Sequence, residues 1–295
     1  MDPGARLKRL LAVALLLVLA ACSSHQLDLE ALSSASDQVV WEAGEKAVEK
    51  KDWESARQYF RRLIDAFPQS EHQPGSRIAL ADSYFEEGGT GNYVLAVSSY
   101  REFLTLYPQH PRSDYAQFRA AESYFKQKNT PDRDQTATEQ ALEEYQRLLD
   151  VYPQSSWVEP AREKIRECRQ SLARSHFGVG YFYQKTRQAW RSAIGRYEII
   201  VADYPDFERI DEVLYRLSEC LGNAGRYAEA RPHLARLQAE FPESSFVELA
   251  KKLEASFPPP GVAPAEAPSA APNVAPAPSA PSAPPPTSER PQVSL

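Results

Sequence analysis

Three cysteines in 295 residues are too few for a disulfide framework, and 12 glycines with a single methionine leave little loop-rich or plastic surface. Charge of one sign is also missing. Forty acidic against 34 basic residues give a net charge of −6, and no basic block exceeds a few residues. That excludes a nucleic-acid partner, because phosphate neutralisation needs clustered Lys and Arg. No apolar run is long enough to span a bilayer, which takes about 20 residues. The longest, Leu10 to Leu19, has ten. Catalytic signatures are absent too. The five histidines stand singly with no metal-ligand spacing, no glycine cluster carries a phosphate-loop lysine, and there is no Gly-x-Ser-x-Gly elbow. Glu86-Glu87 and Glu143-Glu144 are acidic pairs, but on amphipathic helices such pairs are expected on the solvated face. The expectation is a protein that is not an enzyme and holds no metal or cofactor.

The short apolar run begins after Arg6, Lys8 and Arg9 and ends in Leu19-Ala20-Ala21-Cys22, followed by Ser23-Ser24. This is an export segment, and its end resembles the lipobox of bacterial lipoproteins. The resemblance implies a signal peptide over 1–21, a covalent lipid on Cys22, and a linker over 22–37. Two or three acyl chains anchor a protein stably, at about 0.8 kcal/mol per buried methylene. Ser23 fits the pattern exported to the outer membrane. Cys168 and Cys220 fall on apolar stripes, where cysteine behaves as a small hydrophobe, although an oxidising compartment would permit them to pair.

What the chain has in quantity is an internal repeat. Phe67-Pro68, Tyr107-Pro108, Tyr152-Pro153, Tyr204-Pro205 and Phe241-Pro242 recur at intervals of 40, 45, 52 and 37 residues, by subtraction of the proline numbers. Ahead of each lies one apolar pattern. It reads Trp53, Ala56, Tyr59-Phe60, Leu63-Ile64 in the first copy and Tyr93, Ala96, Tyr100, Phe103-Leu104 in the second. Ala141, Tyr145, Leu148-Leu149 follow, then Ala193, Tyr197, Ile200-Val201, then Tyr227, Ala230, Leu234, Leu237. Steps of three and four place these residues on one helix face, and the proline stops the helix. Between them run other helices, such as Ile78, Ala81, Tyr84-Phe85 and its near copy Phe118, Ala121, Tyr124-Phe125. A lone hairpin leaves an apolar face uncovered, so the units must stack. The expected fold is all-α, a superhelix of about five helical hairpins resembling the tetratricopeptide repeat. Repeats 38–130 and 131–257 form two halves. Residues 258–295 hold 13 of the 24 prolines among Ala and Ser, and no core can form from them; a disordered tail is expected.

Tyr107-Pro108-Gln109-His110-Pro111-Arg112-Ser113-Asp114-Tyr115-Ala116, Asp132-Arg133-Asp134-Gln135-Thr136 and Ser192-Ala193-Ile194-Gly195-Arg196-Tyr197 resemble segments of the BamD (YfiO) family of lipoproteins. Lys185-Thr186-Arg187-Gln188 stands where a glycine turn is expected, a local departure. The resemblance implies a periplasmic scaffold of the outer-membrane β-barrel assembly machinery. Its partners would be the periplasmic domains of a BamA-like insertase, other assembly lipoproteins, unfolded outer-membrane proteins, and the bilayer through the anchor. A pilotin-like or envelope-coordinating repeat lipoprotein, or a tether for a wall hydrolase, would share the repeats.

In stacked hairpins the first helix of each pair lines a groove suited to extended peptides. Projecting the repeat puts Trp41, Asp82, Phe85, Tyr115, Phe118, Glu122 and Phe125 on or beside it, with Asp114 as a helix N-cap preceding Tyr115. For the insertase, the resemblance points to Arg196, Tyr197, Tyr215 and Arg216 in the fourth and fifth repeats.

Overall fold

The computed structural model describes residues 35–259. The signal peptide, Cys22 with its proposed lipid, nearly all of the linker, and the tail from residue 260 lie outside the described residues. Eleven α-helices account for most of what is described, and there is no strand among them. In chain order they are α1 (Asp37–Glu49), α2 (Trp53–Ala66), α3 (Gln73–Glu87), α4 (Thr90–Leu106), α5 (Ser113–Phe125) and α6 (Thr136–Val151). Then come α7 (Val158–Phe182), α8 (Trp190–Asp203), α9 (Ile210–Asn223), α10 (Tyr227–Glu240) and α11 (Val247–Ala255). Five hairpins result, α1/α2 to α9/α10, with α11 closing the end.

Each aromatic–proline pair does one job. Phe67, Tyr107, Tyr152, Tyr204 and Phe241 are the residues on which the second helices end, all near φ −130° and ψ +54 to +63°. A residue before proline is barred from the helical region, so the chain turns there. Six residues later the next helix starts every time. Two consecutive turns fill the gap: Ser70 N donates to the Phe67 carbonyl, and Gln73 N to the Ser70 carbonyl. The same pair of bonds recurs at the other four junctions. The incoming helix also satisfies carbonyls of the outgoing one. Gln73 Nε2 donates to the carbonyls of Ile64 and Phe67, each at 2.9 Å, and Ser113 Oγ to that of Tyr107 at 2.7 Å.

Counting back from the aromatic, the positions at −11, −7 and −4 are Ala, a large residue and a large residue in all five repeats. Ala56, Phe60 and Leu63, and their fourfold recurrence through Ala230, Leu234 and Leu237, are at most 1% exposed. Opposite the −7 ring the first helix must be small. A Cβ added to Gly180 would sit 2.9 Å from Tyr197 Cε1, and one added to Gly44 would sit 2.6 Å from Phe60 Cε1. In four of the five hairpins the turn after the first helix carries a positive-φ residue, Lys51 at φ 56° in the first, whereas α5 ends without one. Gly88, Gly89 and Gly225 supply it in two repeats. In the fourth, where glycine is missing, a π-helical turn over Tyr183–Arg187 delivers Gln188 to φ 51° instead.

The 52-residue interval arises from α7, which at 25 residues is about 38 Å long. Its start belongs to one core, where Val158, Ala161 and Cys168 pack with Phe118, Tyr145 and Leu148. Its end belongs to another, where Ala173 and Phe177 pack with Tyr197, Phe207 and Leu214. The apolar packing therefore divides within α7, between Cys168 and Ala173. Both remaining cysteines are free, buried in these two separate cores, and burial pushes each thiol up to about 12. They act as core atoms.

One expected surface residue is buried. Glu144 is 1% exposed, because Arg101 from the second hairpin and Gln117 Nε2 (2.7 Å) both reach its carboxylate. A buried charge is tolerated when it is paired and hydrogen-bonded. Glu143 beside it stays in solvent. Gly180→Ala should cost about 1–3 kcal/mol through overpacking against Tyr197. Gly195→Ala on α8, where an added Cβ meets nothing within 4 Å, should stabilise by about 0.5–1 kcal/mol. Urea unfolding of the two variants checks both signs.

Candidate docking surface on the first helices

The buried −7 tyrosines need an acceptor, since an unpaired buried hydroxyl is costly. Three repeats answer identically: Tyr100 OH donates to Asp82 Oδ1 on α3, Tyr145 OH to Glu122 Oε1 on α5, and Tyr197 OH to Gln184 Oε1 at 2.8 Å. Two of the expected groove residues are thus the inner ends of a structural bond.

Around Asp82 a polar cluster assembles from α3 and α5. Tyr115 OH donates to the same Oδ1 at 2.8 Å, while Arg112 Nη2 and Arg119 Nε stand 3.6 and 3.9 Å from the carboxylate. Burial pushes the Asp82 carboxyl upward, and the bonds from Tyr100 and Tyr115 and the charges of Arg119 and Arg112 oppose that rise. Arg119 also pairs with Glu86 and lies 3.6 Å over the Phe85 ring. Arg112 lies 4.7 Å over Tyr115. Sequence inspection missed both arginines. Arg119 falls one turn after Tyr115 on the same helix face, the spacing that would have revealed it.

Phe85 is therefore not an open aromatic. It is 8% exposed, edge-on to Tyr93 and roofed by Arg119. Phe118 is likewise 8% exposed, stacked on Trp157 with centroids 4.6 Å apart. Both pack between hairpins, so their expected place in a free groove is corrected. Asp114 is not an N-cap either. Helix α5 starts at Ser113 after Arg112, and Asp114 instead accepts Ser155 Oγ at 2.6 Å, tying α5 to the next junction. Asp211 and Ser244 repeat the tie at 2.6 Å.

Trp41, Tyr115, Glu122 and Phe125 stay partly exposed. Trp41 stacks on His72 at 5.1 Å, and Phe125 lies between the Lys128 and Lys164 ammonium groups at 4.3 and 4.5 Å. What remains accessible is a set of separate aromatics on α1 and α5, with lysines beside Phe125.

In the later repeats the four candidates separate. Tyr197 is fully buried by its place on the core face of α8, so its expected role at an interface is corrected. Arg196 is exposed, with Nη1 3.3 Å from His176 Nδ1. Tyr215 stacks on Phe246 at 5.5 Å. Arg216 is held by Glu212 at 2.6 Å and lies 4.7 Å over the exposed Tyr181.

Among the described residues no group of three or more His, Cys, Asp or Glu could hold a metal, and no helix is long and apolar enough to cross a membrane. Stacked hairpins presenting side chains on their first helices define a protein-binding scaffold of tetratricopeptide type. The tetratricopeptide profile itself matches residues 212–244, which covers α9, α10 and their junction. The family profile described as YfiO, outer membrane lipoprotein, matches residues 33–222, and the chain belongs to that family. Among curated relatives, the outer membrane protein assembly factor BamD of Caulobacter vibrioides is 30% identical over 206 residues, 70% of this chain and 66% of the relative. The assembly factors BamD of Xylella fastidiosa 9a5c (25%, covering 68% of this chain and 71% of the relative) and Neisseria meningitidis serogroup A (24%, covering 81% and 93%) are also similar. The protein is accordingly an outer-membrane lipoprotein on the periplasmic side, built as a scaffold of stacked helical hairpins.

His176 gives the surface a pH-sensitive neighbour. Burial lowers its pKa below the ordinary 6.5, and the Arg196 charge lowers it further while Asp203 opposes. A depressed histidine contributes stability above pH 6.5 that is lost as pH falls through its folded value. Arg196→Gln should raise the His176 pKa toward 6.5, as followed by NMR titration of its ring protons; an unchanged midpoint would refute the coupling.

Proposed function

We propose that this lipoprotein serves the outer-membrane β-barrel assembly machinery, holding the periplasmic domains of a BamA-like insertase while unfolded outer-membrane proteins bind its N-terminal repeats. The observation that carries the reading is family membership joined to a fold of stacked helical hairpins that present side chains on their first helices. The lipid on Cys22 would fix the scaffold at the membrane where barrels insert, and other assembly lipoproteins would complete the complex.

The packing divide within α7 supports a division of labour. The end of α7 with α8 to α11 shares one large core, while the hairpins before it pack as three smaller clusters. For clients, the accessible set is Trp41, Tyr115, Glu122 and Phe125. Aromatic faces suit the apolar and aromatic residues of an extended segment, while Lys128 and Lys164 beside Phe125 are both paired with Glu167. For the insertase, Arg196, Tyr215 and Arg216 remain on the outside of the C-terminal core.

Phe125→Ala should lower crosslinking of an unfolded barrel segment several-fold with far-ultraviolet dichroism unchanged. Arg196→Glu should reduce co-purification of the insertase roughly tenfold, as expected for reversing an interface charge. Full client crosslinking in the first variant, or full recovery of insertase with the second, would remove that surface from the proposal.

A further inference from the structure

Beside the α5–α6 connection a groove follows α7 along its length. Two adjoining cavities compose it, of about 470 and 650 Å³, sharing Pro131 and Arg174. The first is lined by the charged side chains of Glu163, Arg166 and Glu167 among others. The second is floored by Gly178, Val179, Phe182 and Tyr183. At Gly178 an added Cβ would meet nothing within 4 Å, so bare helix backbone is presented. Phe182 is 45% exposed, an unusual position for a phenylalanine that no hairpin covers. Nothing in the stacking of the repeats requires this site.

The course of the chain says what covers it. The helix-to-helix turns within hairpins all lie on one edge of the stack, and the aromatic–proline junctions on the other. Tyr183 and the connection at Pro131 are on the turn edge. Helix α11 delivers the chain to that same edge, where Phe257 packs on Tyr227 with centroids 5.0 Å apart and against Gly222, and Arg231 Nη2 donates to the Pro258 carbonyl at 2.7 Å. At least 36 residues follow Pro259, by subtraction. From there the groove is two to three helix diameters away, roughly 30 Å. The stretch from Pro259 to Pro284, 25 residues by subtraction, is rich in proline, so its reach is up to about 3.1 Å per residue, roughly 75–80 Å. That reach exceeds the separation, so the tether allows the tail to close on the groove.

The chemistry matches as well. Pro281-Ser282-Ala283-Pro284-Pro285-Pro286 favours the polyproline II helix, which docks into aromatic-lined grooves with little ordering to lose. Just beyond it stands Glu289-Arg290, while the groove's rim carries Asp132-Arg133, both exposed. The two dipeptides are complementary when they run antiparallel, Glu289 to Arg133 and Arg290 to Asp132. We propose that residues 281–291 of the chain's own tail occupy the apolar end of the α7 groove, with Pro284 to Pro286 on Phe182 and Tyr183 and Glu289-Arg290 paired with Asp132-Arg133. The tail is then an intramolecular competitor for whatever peptide the groove would otherwise accept, next to the divide between the two halves.

A photocrosslinking phenylalanine analogue placed at residue 182 of the full chain tests this. Adducts mapped by mass spectrometry should fall within residues 281–291. Their yield should be roughly tenfold that from the same analogue at the exposed Val94 on α4, the contrast expected of a tethered ligand at millimolar effective concentration. Arg133→Glu should lower the yield from position 182 several-fold, and adding Glu289→Arg should restore it. Similar yields from 182 and 94, or adducts only to other proteins or to an isotope-labelled second copy, would overturn the proposal. So would a yield unmoved by Arg133→Glu.

Discussion

A hairpin of two short helices cannot cover its own apolar face, and this shortage of cover governs the molecule. Ala56, Phe60 and Leu63 and their counterparts are buried only because a helix precedes and another follows. Helix α5 makes the point, since Ala116 and Ala120 serve the core behind it and Phe118 and Ala121 the core ahead. Its small residues let neighbours approach on both sides. Stability thus resides at the joints between repeats, and a surface for partners is what the joints leave over.

The same constraint explains the polar interior. Tyrosine at the −7 position fills more space than leucine, but its hydroxyl must then be met from the facing helix. Asp82, Glu122 and Gln184 meet it in successive repeats, and where the position is Phe60 or Leu234 no hydroxyl needs an acceptor. Residues that look like a binding site in sequence, an acid with aromatics one turn away, are therefore partly internal scaffolding. The accessible remainder is smaller, and richer in cations, than the pattern alone suggests.

Helix α7 stands apart from the regular hairpins. It is the longest helix among the described residues, ends in a π-helical turn, and carries the exposed Tyr181 and Phe182. A helix shared between two packed bodies is the natural place for one to sense the other, and the groove along it is where the tail is proposed to dock.

The number of hairpins, the register of every second helix and the place each one stops were determined by the sequence alone. The physical reason is local: a three-four apolar stripe makes a helix face, and an aromatic before proline must leave the helical region. The small-hydrophobe reading of Cys168 and Cys220 came from the same stripe. Which side of a first helix faces a neighbour was decided only by the tertiary structure, because that depends on the angle at which separate hairpins meet. Phe85 and Phe118 passed from groove to joint, Tyr197 from interface to core, Glu144 from surface to interior, and Asp114 from cap to inter-repeat tie for that reason. In each case the deciding atoms, those of Arg119, Trp157, Gln184, Arg101 and Ser155, lie 13 to 43 residues away in the chain. No pattern within a single helix contains them.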